Sequence, residues 1–391
     1  MVMTGFPPPP EQRWTLEGWQ QHPQNRWTFR HLREVMPTAR VARGPGPPLS
    51  LPVGKPLSLD LEVSPDSRRT VRDVLEATYT DGFLVLHDGH VIVEEYPSGM
   101  DPLETHLLMS VSKSLIGCVT GVLVDRGPID VDAAVTSYVP ELSSSGYAGA
   151  SVRHLLDMRS GVRFSETYLD PNAEVRLLEQ VIGWAPRRDD ELPHSMYEFL
   201  ASLEQEAPHG GAFSYRSGES DVLGWVCERA AGRRMPELLS ELLWSKLRPE
   251  QDMDAAVDPA GAVMHDGGLC ATLRDLGRFG QMLLDDGRVA GEQVVPTWWL
   301  DDTYAGGPDS REVFAASLNS DWFDGGMYRN QFWVPYSDRR ALLCLGIHGQ
   351  RVYIEHERRL VVVKLSSWPQ PQNLDYFLDT LAAVDAISNA V

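Results

Sequence analysis

A serine followed three residues later by a lysine, Ser110-Val111-Ser112-Lys113, stands at the start of a predicted helix. Residues three apart share one face of a helix, so the Lys113 ammonium can reach the Ser110 hydroxyl. A serine hydroxyl is a weak nucleophile until a base takes its proton, and a lysine desolvated among polar groups can serve as that base. The helix N-terminus adds backbone N–H donors where an oxyanion would form. Ser112 and Ser114 lie nearby, but only Ser110 has the lysine at this spacing.

Two other segments offer what such a serine needs. Tyr215, in Phe213-Ser214-Tyr215-Arg216-Ser217, precedes a helical run, and a tyrosine beside a cation can pass a proton to a leaving group. Gly346-Ile347-His348-Gly349-Gln350 ends an apolar strand, whose edge can lend a second oxyanion N–H to a serine that it passes. Taken singly, S-x-x-K arises by chance, a loop tyrosine reads as packing and a strand-end glycine as a plain turn. Their conjunction is what points to nucleophilic acyl chemistry.

These segments must be positioned by elements that the sequence also marks. Eleven of the 28 prolines fall in the first 56 residues, so this arm is expected to be extended and surface-packed, apart from a short docked helix at Asn25 to Met36. Asp66 is placed to cap a helix carrying Val71, Val74, Leu75 and Thr78 at helical spacing. Phe83 to Tyr96 reads as two β-rich runs around Asp88-Gly89, a strong hairpin signal. The helix from about Ser110 to Asp125 stops at Gly127-Pro128. Helical text follows, including SVRHLLDM, SDVLGWVCERAAG, MPELLSELLWSKL and LRDLGRFGQMLLDDG, and strands return at QFWVPY, ALLCLGIHG, RVYIEHE and RLVVVKLSSW before a last helix from Leu374 to Ile387. Strands at both ends with helices between them imply an α/β (α+β) architecture: one sheet completed by distant segments, with an inserted helical lobe. The expected organisation is an arm over 1–64, an α/β lobe from 65–130 and 331–391, and a mainly helical lobe over 131–330, with the active site between the lobes.

Composition narrows the partners. The 391 residues carry 35 Lys and Arg against 55 Asp and Glu, a net charge of −20, which repels nucleic acid and favours neutral or amine-bearing small molecules. Four dispersed cysteines form no CxxC pair, so buried free thiols are expected rather than a zinc site or a disulfide framework. No stretch approaches the ~20 apolar residues of a membrane span, and the N-terminus has no leader pattern, so a cytoplasmic chain, complete as written, is expected. HExxH, G-x-x-x-x-G-K-[ST] and G-x-S-x-G are all missing, so no metal site and no cofactor is expected.

In this order the three elements resemble the serine β-lactamase and DD-peptidase superfamily, with its S-x-x-K, Y-x-N-type loop and K-T-G-type strand. GPIDVDAAVTSYVPEL, SVRHLLDMRSGV and HDGGLCATLRDLGRFGQMLLDDG are similar to class C relatives and family VIII-type esterases. Within that superfamily NRWTFRHLREVMPTA, LLMSVSKSL, YVPEL, GIHGQ and VVVKLSSWP resemble the 6-aminohexanoate-dimer (nylon-oligomer) hydrolase group. The resemblance implies a serine β-lactamase-like fold, Ser110 as the acylated nucleophile, Lys113 and Tyr215 as the proton-handling pair, and the N–H groups of Ser110 and Ile347 as the oxyanion hole. It implies substrate contacts at Tyr168 for the leaving amine, Glu179 for a substrate amino end, and Ser217, Asp266, Trp333 and His348. Tyr168 and Trp333 are equally readable as packing, and Glu179 as a solvated helix charge. Three departures stand out. Ser217 replaces the superfamily's asparagine, Cys344-Leu345-Gly346 has no K-T-G lysine, and Asp266 puts an anion where the hydrolase group has asparagine. The first two remove groups that grip a β-lactam. The expected function is therefore hydrolysis of small linear amides and short-chain esters through an acyl-serine. An acyltransferase and a non-catalytic binding module are the alternatives, and a homodimer is expected by the same resemblance.

Overall fold

The hairpin expected at Asp88-Gly89 forms. Thr80–His87 pairs antiparallel with His90–Glu95, and the two turn residues hold φ of 49° and 75°. Positive φ at both central positions gives the tight turn whose twist matches its strands. The structure is a computed structural model and describes residues 2–64, 67–323 and 325–391.

That hairpin is one end of a seven-stranded antiparallel sheet. Its order is Met327–Arg329, Phe332–Val334, Ala341–Gly346, Gln350–Glu355, Leu360–Ser366, Thr80–His87 and His90–Glu95. Strands from the two ends of the chain therefore meet where Leu360–Ser366 pairs with Thr80–His87. Side chains alternate across a strand. Val352 packs against Gly280 of the helix Leu273–Leu284, whereas Arg351 and Glu355 meet Phe377 and Ser388 of the helix Leu374–Ala390. With both faces covered, Leu360–Ser366 is buried throughout, which explains the apolar run Leu360 to Val363 better than alternation would.

A second, four-stranded sheet has the order Thr38–Val41, Met253–Ala256, Leu269–Ala271 and His106–Leu107. It recruits the proline-rich arm, which is less superficial than its composition implies. Thr38–Val41 becomes an edge strand, and Trp19 and Phe29 are buried in the core. The helix expected over Asn25 to Met36 is split into Asn25–Thr28 and Leu32–Val35. The Phe29 carbonyl, which a continuous helix would use, instead accepts a 2.8 Å hydrogen bond from the Leu107 N–H.

The helix Val71–Ala77 is capped by Thr70 and Asp73, whose side chains and N–H groups bond reciprocally. Asp66, expected as the cap, lies outside the described residues. The helices Val152–Leu156, Glu174–Val181, Met196–Ser202, Ser217–Ala231 and Met235–Leu242 connect the segments of the sheet. All four cysteines are buried free thiols. Among the described residues no helix is long and apolar enough to cross a membrane.

Candidate active site

The strand His106–Leu107 leads directly into the helix Val111–Asp125, and the turn between them is sharp. Met109 takes a φ of 48°, a left-handed conformation that non-glycine residues adopt at a cost, and it precedes the serine immediately. Ser110 is the N-cap of this helix. A capping serine's hydroxyl oxygen ordinarily accepts from an N–H of the first turn, but Ser110 makes no such bond. Its Oγ instead accepts from Lys113 Nζ at 2.9 Å. Neighbouring serines are occupied elsewhere: Ser112 Oγ accepts from the Leu269 N–H, and Ser114 Oγ donates to the Gln331 carbonyl.

Lys113 is buried and its three protons have three acceptors: Ser110 Oγ, Ser217 Oγ at 3.1 Å and the Asp266 carbonyl at 2.8 Å. Burial alone would lower its pKa. The nearby Tyr215, Asp266, Glu166 and Asp221 outweigh burial and hold it above the usual lysine value. Tyr215 lies over the same amine, with Nζ 5.3 Å from the ring centroid, and its hydroxyl interacts with Ser110. Its ring stacks on Trp333 at 5.1 Å, which fixes its orientation. Burial pushes the phenol up, Lys113 pulls it back, and the balance lies above the ordinary tyrosine value. At rest the pair is ammonium and phenol.

Gly346 brings the end of the strand Ala341–Gly346 against the serine turn. A Cβ there would stand 2.5 Å from the Leu108 carbonyl oxygen and 3.0 Å from Met109 Cβ, so only glycine permits this approach. Ile347 follows at once. Among the described residues neither its N–H nor that of Ser110 donates to another backbone group outside the regular ladders.

Two recesses meet at Ser110, Tyr168 and Ile347. One is aromatic, lined by Tyr215, Trp333, Trp322, Phe323 and Phe377, with Arg351 on its wall. The other holds Glu179, Asp266, Ser217, Gln20 and Trp184. Ser110, Lys113, Tyr215, Ser217, Tyr168, Glu179, Asp266, Trp333 and Ile347 are thus brought together or border the cleft. Phe332, next to Trp333, is fully buried on the opposite side of its strand. His348 differs from expectation and borders neither recess. Its Nδ1 is 2.7 Å from the Trp368 carbonyl, its ring packs on Phe29, and burial pushes it down to about 4. The strand ends at Gly346 and the chain turns there, which carries the His348 side chain into the core.

Two carboxylates beside Lys113 were not marked by the motif. Glu166 accepts from the Tyr168 hydroxyl at 2.6 Å and from the Ser217 N–H. Burial raises it, against the pull of Lys113. Asp221 accepts from the Asp266 N–H at 3.1 Å, and burial together with the Asp266 charge raises it well above the carboxylate range. Asp221 lies four residues after Ser217 on one helix, so its face was readable. Glu166 offered only its place two residues before Tyr168. Glu179 is buried too, ion-paired with Arg176 at 2.6 Å, and burial pushes it up to about 7.

An S-x-x-K serine at a strand–turn–helix junction beside an antiparallel sheet agrees with the comparison of the whole chain. Residues 68–386 match the Beta-lactamase family, and the chain belongs to it. It is a serine hydrolase of the β-lactamase fold, as the motifs led one to expect. More particularly, it is 41% identical over 380 residues to the 6-aminohexanoate-dimer hydrolase of Paenarthrobacter ureafaciens, covering 95% of each chain. The solved structure titled "Putative 6-aminohexanoate-dimer hydrolase from Bacillus anthracis" superposes with a TM-score of 0.87 at 27% identity, covering 96% of both chains. A hydrolase with promiscuous acyltransferase activity shares the fold at 15% identity and a TM-score of 0.62, over 81% of this chain and 98% of that one.

Proposed function

We propose that the protein cleaves small linear amides that carry an amino group, of the 6-aminohexanoate-oligomer type, and short-chain esters, through an acyl-Ser110 intermediate. The observation that carries this reading is the Ser110 hydroxyl. It is left free by the helix that it caps and is bonded at 2.9 Å to a buried Lys113. Ser110 Oγ attacks the carbonyl carbon, and its proton passes to the Lys113–Tyr215 pair. The oxyanion is received by the N–H groups of Ser110 and Ile347, where one donor is commonly worth ~3 kcal/mol in rate. Collapse breaks the carbonyl–nitrogen or carbonyl–oxygen bond, and Tyr215 returns the proton to the departing amine or alkoxide. Water then attacks the acyl-serine and regenerates the hydroxyl.

In this reading Glu179 and Asp266 receive the substrate's ammonium, while Tyr168 supports the leaving nitrogen. Sharing of the protons between Lys113 and Tyr215 makes the reactive form one proton short of the resting form, so acylation of a neutral ester quickens on the alkaline side of neutrality. A cytoplasmic location and a homodimer, both expectations drawn from the sequence, are kept as part of the same proposal.

The test is intact-mass analysis after mixing with a short-chain p-nitrophenyl ester and with linear amino-amides. The wild-type chain is expected to gain one acyl group on Ser110 and release it. Ser110→Ala is expected to gain none while melting like the wild type. A Ser110→Ala chain that acylates at the wild-type rate overturns the assignment. Including a competing amine shows whether the acyl group goes to water or to an amine.

A further inference from the structure

The two recesses that meet at Ser110 have opposite charge. Glu179 and Asp266 make one acidic. On the wall of the other stands Arg351, an arginine only 3% exposed. Its guanidinium has no ion pair and no hydrogen bond among the described residues, and its buried Nη1 is left without a partner. The ring of Phe377 lies 4.7 Å from it. Its neighbour across the sheet, in register, is the buried amine of Lys364, which burial and Arg351 push well below the usual lysine value and which offers Arg351 no counter-charge. Burial pushes Arg351 down only to about 9, which leaves it charged at neutral pH. Other buried arginines of this chain are matched by acids: Arg278 by Asp275 and Glu250, and Arg216 by Glu219 and Glu206. A buried guanidinium without a counter-ion is costly, and a planar fork of donors is best satisfied by a carboxylate.

We propose that Arg351 seats a carboxylate carried by the substrate's leaving group, so that the cleft selects zwitterionic linear amides and fixes which way round they bind. This deepens, and rests on, the amide-hydrolase reading above. The direction follows from Tyr215, which borders the Arg351 recess and not the acidic one. The leaving nitrogen must receive its proton on that side, so the leaving fragment occupies the aromatic recess and extends toward Arg351. The acyl fragment lies in the other recess with its ammonium against Glu179. The preferred substrate then has an ammonium on the acyl half, a central amide, and a carboxylate on the amine half. Aromatic walls between Ser110 and Arg351 suit a methylene chain joining amide and carboxylate.

The experiment compares the linear dimer of 6-aminohexanoate with the same molecule ending in a carboxamide. The wild-type enzyme is expected to favour the carboxylate by about 10- to 100-fold in kcat/KM, as a charge-assisted hydrogen-bonded pair would give. Arg351→Met, which keeps length and apolar packing, is expected to bring that ratio to about one, and Arg351→Lys to leave it between the two. A wild-type ratio near one, or a ratio that survives Arg351→Met, overturns the proposal. Calorimetry of hexanoate against hexanamide on the wild-type protein needs neither turnover nor a folded variant. Tighter binding of hexanoate supports the carboxylate seat even where the dimer is not cleaved, whereas equal binding overturns it. Failure of the amide-hydrolase reading shows separately, as no acyl-Ser110 with any ester or amide.

Discussion

At the scale of single residues, the site is a set of charges taken out of water and made to answer one another. Lys113 keeps its proton because carboxylates and a phenol surround it, although burial by itself pulls its pKa down. Glu179 is poised differently. Burial pushes it up to about 7, so it changes charge where the enzyme would be assayed. Above that value it is an anion able to pair with a substrate ammonium, and below it the pairing is lost. The KM of an amino-amide should therefore fall as pH rises through about 7, whereas the KM of an ester with no amino group should not follow. Glu179→Gln should flatten the first curve. Stability moves in the opposite sense. A carboxyl raised above its unfolded value contributes stability below that unfolded value and loses it as pH climbs through the folded one. The melting temperature of Glu179→Gln relative to wild type should thus rise across the same interval. Parallel pH curves for the two substrates, unchanged in the variant, would remove Glu179 from amine recognition.

At the scale of elements, what positions the chemistry is the close passage of one strand end by one helix start. Gly346 permits it, and a methyl group there meets the Leu108 carbonyl oxygen at 2.5 Å. Gly346→Ala should push the strand off the serine turn and draw the Ile347 N–H out of reach of an oxyanion. Loss of one such donor slows acylation by about 10²–10³-fold. Stopped-flow release of p-nitrophenol reads this, and acylation within a factor of two of wild type would show that the strand does not hold the donor.

The parts of this arrangement legible in the sequence were local. Asp88-Gly89 turns because of its own backbone preference, and Ser110 and Lys113 meet because a helix repeats. Thr38–Val41 was not legible as a strand, because its partner Met253–Ala256 lies over 200 residues away. Nothing in the motifs marked Glu166, Asp221 or Arg351 as buried, because a charged side chain in an ordinary segment is usually exposed. Only the packing of distant elements buries them around one cleft. His348 fails for the converse reason: it is adjacent to Ile347 in the chain, yet a single turn of backbone sends it into the core.

At the scale of the whole molecule, the net charge of −20 and the N-terminal arm bear on the same question, how an amine-bearing substrate is held. The overall field does little close in, since salt screens exposed charges beyond about 8–10 Å. Selectivity must come from the recess itself, and the arm builds one wall of it. Trp19 is buried against Trp184 and Phe29, and its indole N–H donates to the Trp184 carbonyl at 2.7 Å. The next residue, Gln20, donates to Glu179 Oε1 at 3.2 Å. The backbone N–H of Trp184 in turn donates to the Glu179 backbone carbonyl at 2.8 Å, so Trp19 is tied through Trp184 to the main chain of Glu179 while Gln20 holds its carboxylate. Trp19→Ala should cost about 3–5 kcal/mol by the cavity that it leaves, read as a lower melting temperature. It should also loosen Gln20 and admit water to Glu179, raising the KM of an amino-amide more than that of a neutral ester. A lower melting temperature with an unchanged ratio of the two KM values would make the arm a structural clamp alone. A shifted ratio would make the first two dozen residues, far in sequence from Ser110, part of substrate recognition.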